Sequence, residues 1–251
     1  MSRHILYTAL LMTTGILINS CSSSKIPEAE TPEVIKSNQE GSGQPLQIKF
    51  IKGEAHNHPL MAVWVEDENE NFIQTLFVAE SIGKGIFQHA DTTSGKWLPG
   101  AIRRPAALPV WSHSRGVKEN DGLFIPTPEN AVADAYTGAT PTKSFKLNTR
   151  LDNSGPERFV VYFEINQTWD WNEYWTNNKF PNDEVYKTSC QPALIYKAVV
   201  DLNDDIKEYT MELVGRGHHS GQDGKIYTDH YETMTTALNI ARSIVVIESD
   251  Q

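Results

Sequence analysis

"LMAVWVED", residues 60–67, followed by "NENFIQTLFVAE", residues 69–80, decides the fold class. Val63, Trp64 and Val65 in the first run, and Phe72, Ile73 and Phe77 in the second, are β-branched or aromatic. Such side chains fit a pleated surface buried on at least one face. The polar link "EDENEN" between the runs is short. Two strand-like runs around a short polar link predict a β-hairpin.

Further runs extend the pattern outward. "SFKLNTRL" (144–151) alternates Phe145, Leu147 and Leu151 with Lys146, Asn148 and Arg150. That period of two is the mark of a strand with one buried face. "ERFVVYFEIN" (157–166), "ALIYKAVVDL" (193–202), "EYTMELVGRG" (208–217) and "ARSIVVIES" (241–249) read as further strands. Short strands separated by turn signals predict an all-β, antiparallel sandwich. "GAIRRPAALPVWSHSRG" (100–116) reads as a short helix or an irregular crossing segment, because its prolines exclude a long helix. No internal repeat is present, and no helix-period segment is long enough to build a bundle. The expectation is a single domain over 47–251, with long loops near 81–143 and 167–192.

The N-terminus has a different character. "MSRHILYTALLMTTGILINSC" opens with Arg3 and His4, continues as an apolar run from Ile5 to Ile18, and ends in Asn19-Ser20-Cys21. A basic start, an apolar segment and a small residue before the cut read as a secretory signal over 1–20. The run falls short of the roughly 20 apolar residues of a spanning helix. "INSC" resembles a bacterial lipobox, which implies a diacylated Cys21 as the new first residue, with Asn19 an unusual middle residue. Acyl chains on one cysteine anchor a protein to a membrane surface. The competing reading is a buried N-terminal helix with a chance cysteine. The Ser-, Pro-, Glu- and Gly-rich stretch that follows, counted from Cys21 to residue 46, reads as a flexible tether. The implied location is the cell envelope, lipid-anchored to a bacterial membrane and facing the periplasm or the cell surface.

The 251 residues are 39% hydrophobic and 22% charged, enough for one large or two small cores. A net charge of −10 excludes a sustained basic groove, and with it a nucleic-acid partner. Only two cysteines are present, so with Cys21 lipidated Cys190 has no partner for an intramolecular disulfide. A lone thiol of this kind reads as buried and inert rather than catalytic.

One polar, turn-rich segment carries the sharpest chemical signal: "DAYTGATP", residues 134–141. Gly138 and Ala139 make the backbone slim, and Pro141 discourages a helix beyond it. A threonine hydroxyl becomes a covalent attachment site only when an enzyme activates it. The segment resembles the Asp-x-x-Ser/Thr-Gly-Ala-Thr acceptor motif of bacterial flavin transferases, which join the phosphate of FMN to the last threonine. Asp134, Thr137, Gly138, Ala139 and Thr140 fill the five specified positions, and the resemblance implies Thr140 as the acceptor. It also implies a flavin transferase and a membrane redox protein as partners. The alternative is a plain Thr-Gly turn joining two strands.

A second resemblance covers roughly residues 58–165. "HPLMAVWVEDENENFIQTLFV" followed downstream by "TGATP" and a strand resembles the bacterial domain-of-unknown-function family 2271. Members pair a "VAVWIED…TL" hairpin with a later "SGAT" or "TGAT" segment. The resemblance implies an exported protein with an immunoglobulin-like sandwich in a redox neighbourhood, and no particular activity.

"NQTWDWNEYWTNNKFPNDEVY" (166–186) concentrates Trp169, Trp171, Tyr174 and Trp175 beside Asp170, Asn172 and Glu173. Aromatic rings next to amides and carboxylates suit sugars or an isoalloxazine plane. The other reading is a satellite core that pins a long loop. His56 and His58, and His218, His219 and His230 near Asp223, Asp229 and Glu232, lack the spacing of known metal motifs, and no metal is expected. Gly83-Lys84-Gly85 lacks the rest of a phosphate loop, and Ser112-His113-Ser114 lacks the nucleophile elbow. Arg103 and Arg104, with Arg115 and Lys118, form a basic island suited to a phosphate, a carboxylate or neighbouring acids. The whole reads as an envelope lipoprotein, an electron carrier or binding protein rather than a catalyst. FMN on Thr140 is the first reading. A non-catalytic binding module or scaffold, using the Trp-rich loop for a glycan, small ligand or protein, is the alternative.

Overall fold

The computed structural model describes residues 31–249; the expected signal peptide and Cys21 lie outside the described residues. The elements in chain order are β1 (Glu33–Lys36), β2 (Pro45–Lys52), β3 (Leu60–Glu66), β4 (Phe72–Ala79), α1 (Glu80–Gly83), β5 (Ile86–Asp91), β6 (Leu98–Ala101) and α2 (Pro109–Ser114). They continue as β7 (Thr137–Gly138), β8 (Phe145–Arg150), β9 (Arg158–Asn166), β10 (Leu194–Asp201), β11 (Glu208–Thr210), β12 (Glu212–Arg216) and β13 (Ala241–Glu248). The expected all-β sandwich is what forms. One sheet runs β1-β8-β2-β13-β11 and the other β12-β10-β9-β3-β4-β7, while β5 and β6 make a separate hairpin.

The principal core lies between the two sheets. Leu46, Ile48 and Phe50 from β2, with Phe145 and Leu147 from β8, meet Met61, Val63 and Val65 from β3 and Phe159, Val161 and Phe163 from β9. Phe50 stacks on Phe145 at 4.9 Å and on Phe163 at 5.7 Å, which ties the sheets together through one ring.

β3 and β4 form the antiparallel hairpin, with Val63 opposite Phe77 and Ala62 opposite Val78. Every residue of β3 is buried, because the second face of its sheet is also covered. Leu60, Ala62 and Trp64 pack there against Ala107, Leu108, Val110 and Trp111. A strand buried on both faces reads as a continuous apolar run, which "LMAVWV" is. The 81–143 region is therefore not one long loop: α1, the β5–β6 hairpin and α2 form a layer over the outer face, and β7 joins the edge of the sheet.

Three expectations need correction. The tether expected to end at residue 46 is folded from Glu33 onward. β1 pairs in parallel with β8, Glu33 opposite Phe145, and the Ser37 hydroxyl donates to the Leu76 carbonyl at 2.7 Å. β1 is held by its backbone ladder and by Ile35 against the core, with Val34 58% exposed; one inward apolar residue in a Ser/Pro/Glu-rich stretch gives no strand period. The domain accordingly begins before residue 47. The expected strand over 208–217 is two strands in different sheets: β11 pairs with β13 and β12 with β10. The switch falls at the buried Met211, whose N–H donates to the Ile244 carbonyl at 2.9 Å. The sandwich is also not purely antiparallel, because β1 and β7 close their edges with short parallel pairs. Short edge strands limit pairing with other chains. No helix among the described residues is long and apolar enough to cross a membrane.

Candidate functional site

The 134–141 segment runs along the outer edge of β4. Asp134–Tyr136 makes a single 3₁₀ turn, then Thr137 and Gly138 form β7 opposite Val78 and Ala79. Its anchors are specific. The Asp134 carboxylate pairs with the Lys84 ammonium at 2.8 Å, and Lys84 also reaches Glu80 at 2.9 Å. Hydrogen bonds to both carboxylates, Asp134 first, raise the Lys84 pKa well above the usual range for a lysine. The Tyr136 hydroxyl donates to the Asp152 carboxylate at 2.8 Å; burial, then this bond, push the phenol up to about 12.

Gly138 has a packing reason to be glycine. A Cβ there would lie 2.7 Å from the ring of the buried Phe77. The Thr137 methyl in turn fills the space beside Gly83, where a Cβ would come within 2.8 Å of it. Beyond this clamped strand Ala139 is exposed, Thr140 is half-buried like Thr137 and Gly138, and Pro141 is buried.

The four clustered aromatics at 169–175 divide into three groups. Trp175 is only 3% exposed. Its indole N–H donates to the Thr233 hydroxyl at 2.8 Å. Asn172 braces the same turn, accepting the N–H groups of Tyr174 and Trp175 and donating to the Thr233 carbonyl. Trp175 thus belongs to the core, which corrects its expected place in a stacking platform. Tyr174 sits at the rim, its ring covered by the Lys179 ammonium at 3.6 Å and the edge of Trp175 at 5.3 Å. Trp169 and Trp171 remain 60% and 58% exposed. They line a cleft of about 440 Å³ with Asn177, Asn178 and Lys187. Thr140 lines no part of this cleft, so the structure does not gather the acceptor motif and the tryptophans into one site.

The basic island also divides. Arg103 pairs with Asp121 and donates to the Ile125 carbonyl. Arg104 has no acid partner among the described residues. Its guanidinium lies 4.8 Å from the Phe87 ring and 5.3 Å from the Trp169 ring, with Nε and Nη1 enclosed and unpaired. Arg115 stacks on Trp111 at 5.1 Å.

His218 and His219 stack on each other at 4.3 Å, and His219 on Phe180 at 4.0 Å. Burial, reinforced by His218, pulls His219 down to about 4. Among the described residues no three His, Cys, Asp or Glu side chains gather as a metal ligand set. Cys190 is buried, and burial pushes its thiol up to about 11.

Two features escaped the sequence. One is a cleft of about 730 Å³, lined by Pro105, Leu123, Phe180, Pro181 and Val185 together with Asp183 and Gln222. No spacing along the chain links those positions. The other is Glu164, fully buried in the middle of β9, whose carboxylate accepts the N–H groups of Val110 at 3.1 Å and Trp111 at 2.8 Å. It caps the start of α2 from another strand, which the run "FVVYFEIN" does not announce. Compared with known protein families, with curated proteins and with solved structures, the chain matches none.

Proposed function

We propose that this chain is an exported lipoprotein of the bacterial cell envelope, anchored through Cys21, that carries FMN covalently on Thr140 and serves as an electron carrier. The observation that carries the reading is the placement of "DAYTGAT" at an edge of the sandwich, with strand pairing ending at Gly138, Ala139 exposed and Thr140 half-buried. A modifying enzyme needs a slim, presented acceptor. A hydroxyl sealed in the core would oppose the reading, and Thr140 is only half-buried.

The residues present fit the attachment. Thr140 would hold the flavin through a phosphoester. Gly138 and Phe77 fix the strand leading to it, the Lys84–Asp134 pair pins its start, and the Tyr136–Asp152 bond holds the turn before it. When bound, FMN supplies electron transfer, and the protein's part is to hold and present it. A flavin transferase and a membrane redox protein are the partners this reading calls for.

The test is co-production of the full-length chain with a flavin transferase in a bacterial envelope, followed by mass analysis of the peptide that contains residues 134–141. The expected result is an FMN adduct on that peptide, lost in Thr140→Ala. An unmodified peptide, in cells where a known acceptor protein is modified, refutes the proposal.

A further inference from the structure

Trp169 and Trp171 are unlike the tryptophans of the core. Trp64, Trp111 and Trp175 are buried, whereas these two are exposed and line one cleft. Large apolar groups left exposed together mark binding sites more often than isolated ones do.

Their exposure does not come from a loose loop. The Trp169 N–H donates to the Thr188 carbonyl and the Asp170 N–H to the Ser189 carbonyl, both at 3.0 Å. Asp170 also bridges to Cys190 and hydrogen-bonds the Thr236 hydroxyl. Trp169 itself adopts φ +56°, a left-handed conformation that costs a bulky residue energy. The surrounding hydrogen bonds hold it there. Arg104, close to both Phe87 and the Trp169 ring, backs the indole. The Trp169 side of the cleft is therefore braced before any ligand arrives, which lowers the entropy lost on binding.

The rest of the lining selects the ligand class. Asn177 and Asn178 are exposed, and among the described residues neither side-chain amide has a hydrogen-bond partner. Each offers both donors and an acceptor. Lys187 is tied to Glu184 at 2.5 Å and is not a free cation. An alkyl chain or apolar peptide would strip water from both amides without replacing its hydrogen bonds. A sugar ring satisfies both requirements, with CH groups for the indole faces and hydroxyls for the amides. A cleft of about 440 Å³ is also within the usual size range of small-ligand sites.

We propose that this cleft binds a pyranose-based glycan, with the CH face of the sugar on Trp169 and Trp171 and its hydroxyls hydrogen-bonded by Asn177 and Asn178. The site is independent of Thr140, so it stands or falls regardless of a flavin adduct.

The test is titration of the full-length chain, in detergent, with oligosaccharides of glucose, xylose, mannose, galactose and N-acetylglucosamine, followed by indole fluorescence and calorimetry. At least one series is expected to shift the emission and release heat. Trp171→Ala should weaken that binding about tenfold or more with an unchanged melting temperature. Asn178→Ala should weaken it less, and Trp97→Ala, on an exposed tryptophan of the linker between β5 and β6, should leave it intact. Absence of binding by every series overturns the proposal. So does binding that survives both Trp169→Ala and Trp171→Ala.

Discussion

Glu164→Gln gives the sharpest test of how the outer layer is held to the sandwich. The wild-type carboxyl is fully buried and accepts two backbone N–H groups at the start of α2. Burial favours the neutral acid, the two N–H groups favour the anion, and burial wins, pushing the group up to about 8. In the unfolded chain it titrates near 4.5. Between those values the folded chain holds a proton that the unfolded chain has released. Stability from this group is therefore complete below about pH 4.5 and is lost as pH rises towards 8. The slope reaches about 1.4 kcal/mol per pH unit, and the whole window amounts to about 5 kcal/mol. Glutamine cannot titrate, so its variant lacks this fall. It also turns an NH₂ group toward one of the two backbone donors, and a buried unpaired N–H costs about 1–3 kcal/mol. The variant should be less stable than wild type near pH 5, and the gap should close or invert by pH 8.5. Urea unfolding at a series of pH values reads this as the difference between two midpoint curves. A difference that stays flat from pH 5 to 8.5 refutes the reasoning. A wild type that gains on the variant as pH rises shows instead that the N–H pair outweighs burial.

Other substitutions separate packing from presentation. Trp175→Ala removes a buried indole and its bond to Thr233 and should cost about 3–5 kcal/mol, whereas Trp171→Ala should stay within about 0.5 kcal/mol; thermal unfolding compares them. Gly138→Ala sets a methyl 2.7 Å from the Phe77 ring and should cost about 1–3 kcal/mol, read by the same melts. The Cys190 thiol, buried and pushed up to about 11, should resist a thiol reagent at pH 8 in the native chain and react in urea, followed by absorbance.

The legible part of the fold is the part whose stability comes from apolar side chains. β3, β4, β8, β9, β10 and β13 carry dense or alternating apolar runs, and each formed where those runs lie. β1 escaped because it sends only Ile35 to the core while Val34 faces solvent, and its ladder bonds to β8 do the rest. β7 is two residues long, too short for any period. The division of 208–217 between sheets turns on Met211, and a strand pattern does not say which sheet receives each half. In the Trp-rich loop, composition marked the aromatic cluster but not its faces. Irregular backbone has no period, so nothing in the order of the residues separates Trp171 from Trp175. Packing into the core, with the bonds to Thr233 far along the chain, buries Trp175 and leaves Trp171 outside.

The acceptor motif shows a different relation between sequence and structure. Three of its five positions have structural reasons that require no modifying enzyme. Asp134 pairs with Lys84, the Thr137 methyl packs beside Gly83, and Gly138 makes room for Phe77. A plain turn would select those residues too. Ala139 and Thr140 have no such anchors, and they are where the segment leaves the sheet edge. The case for FMN therefore rests on the two residues that a transferase would have to accommodate, and a single pair of variants isolates it. Ala139→Val adds bulk at an exposed position and should shift stability by less than about 0.5 kcal/mol. If an enzyme must grip a slim backbone there, the same change should sharply lower the yield of adduct on the 134–141 peptide. Thr140→Ser keeps a hydroxyl and should retain some adduct, whereas Thr140→Ala should have none. A peptide modified equally in wild type and Ala139→Val refutes the requirement for slimness. An adduct that persists in Thr140→Ala moves the attachment to another hydroxyl and removes the role assigned to Thr140.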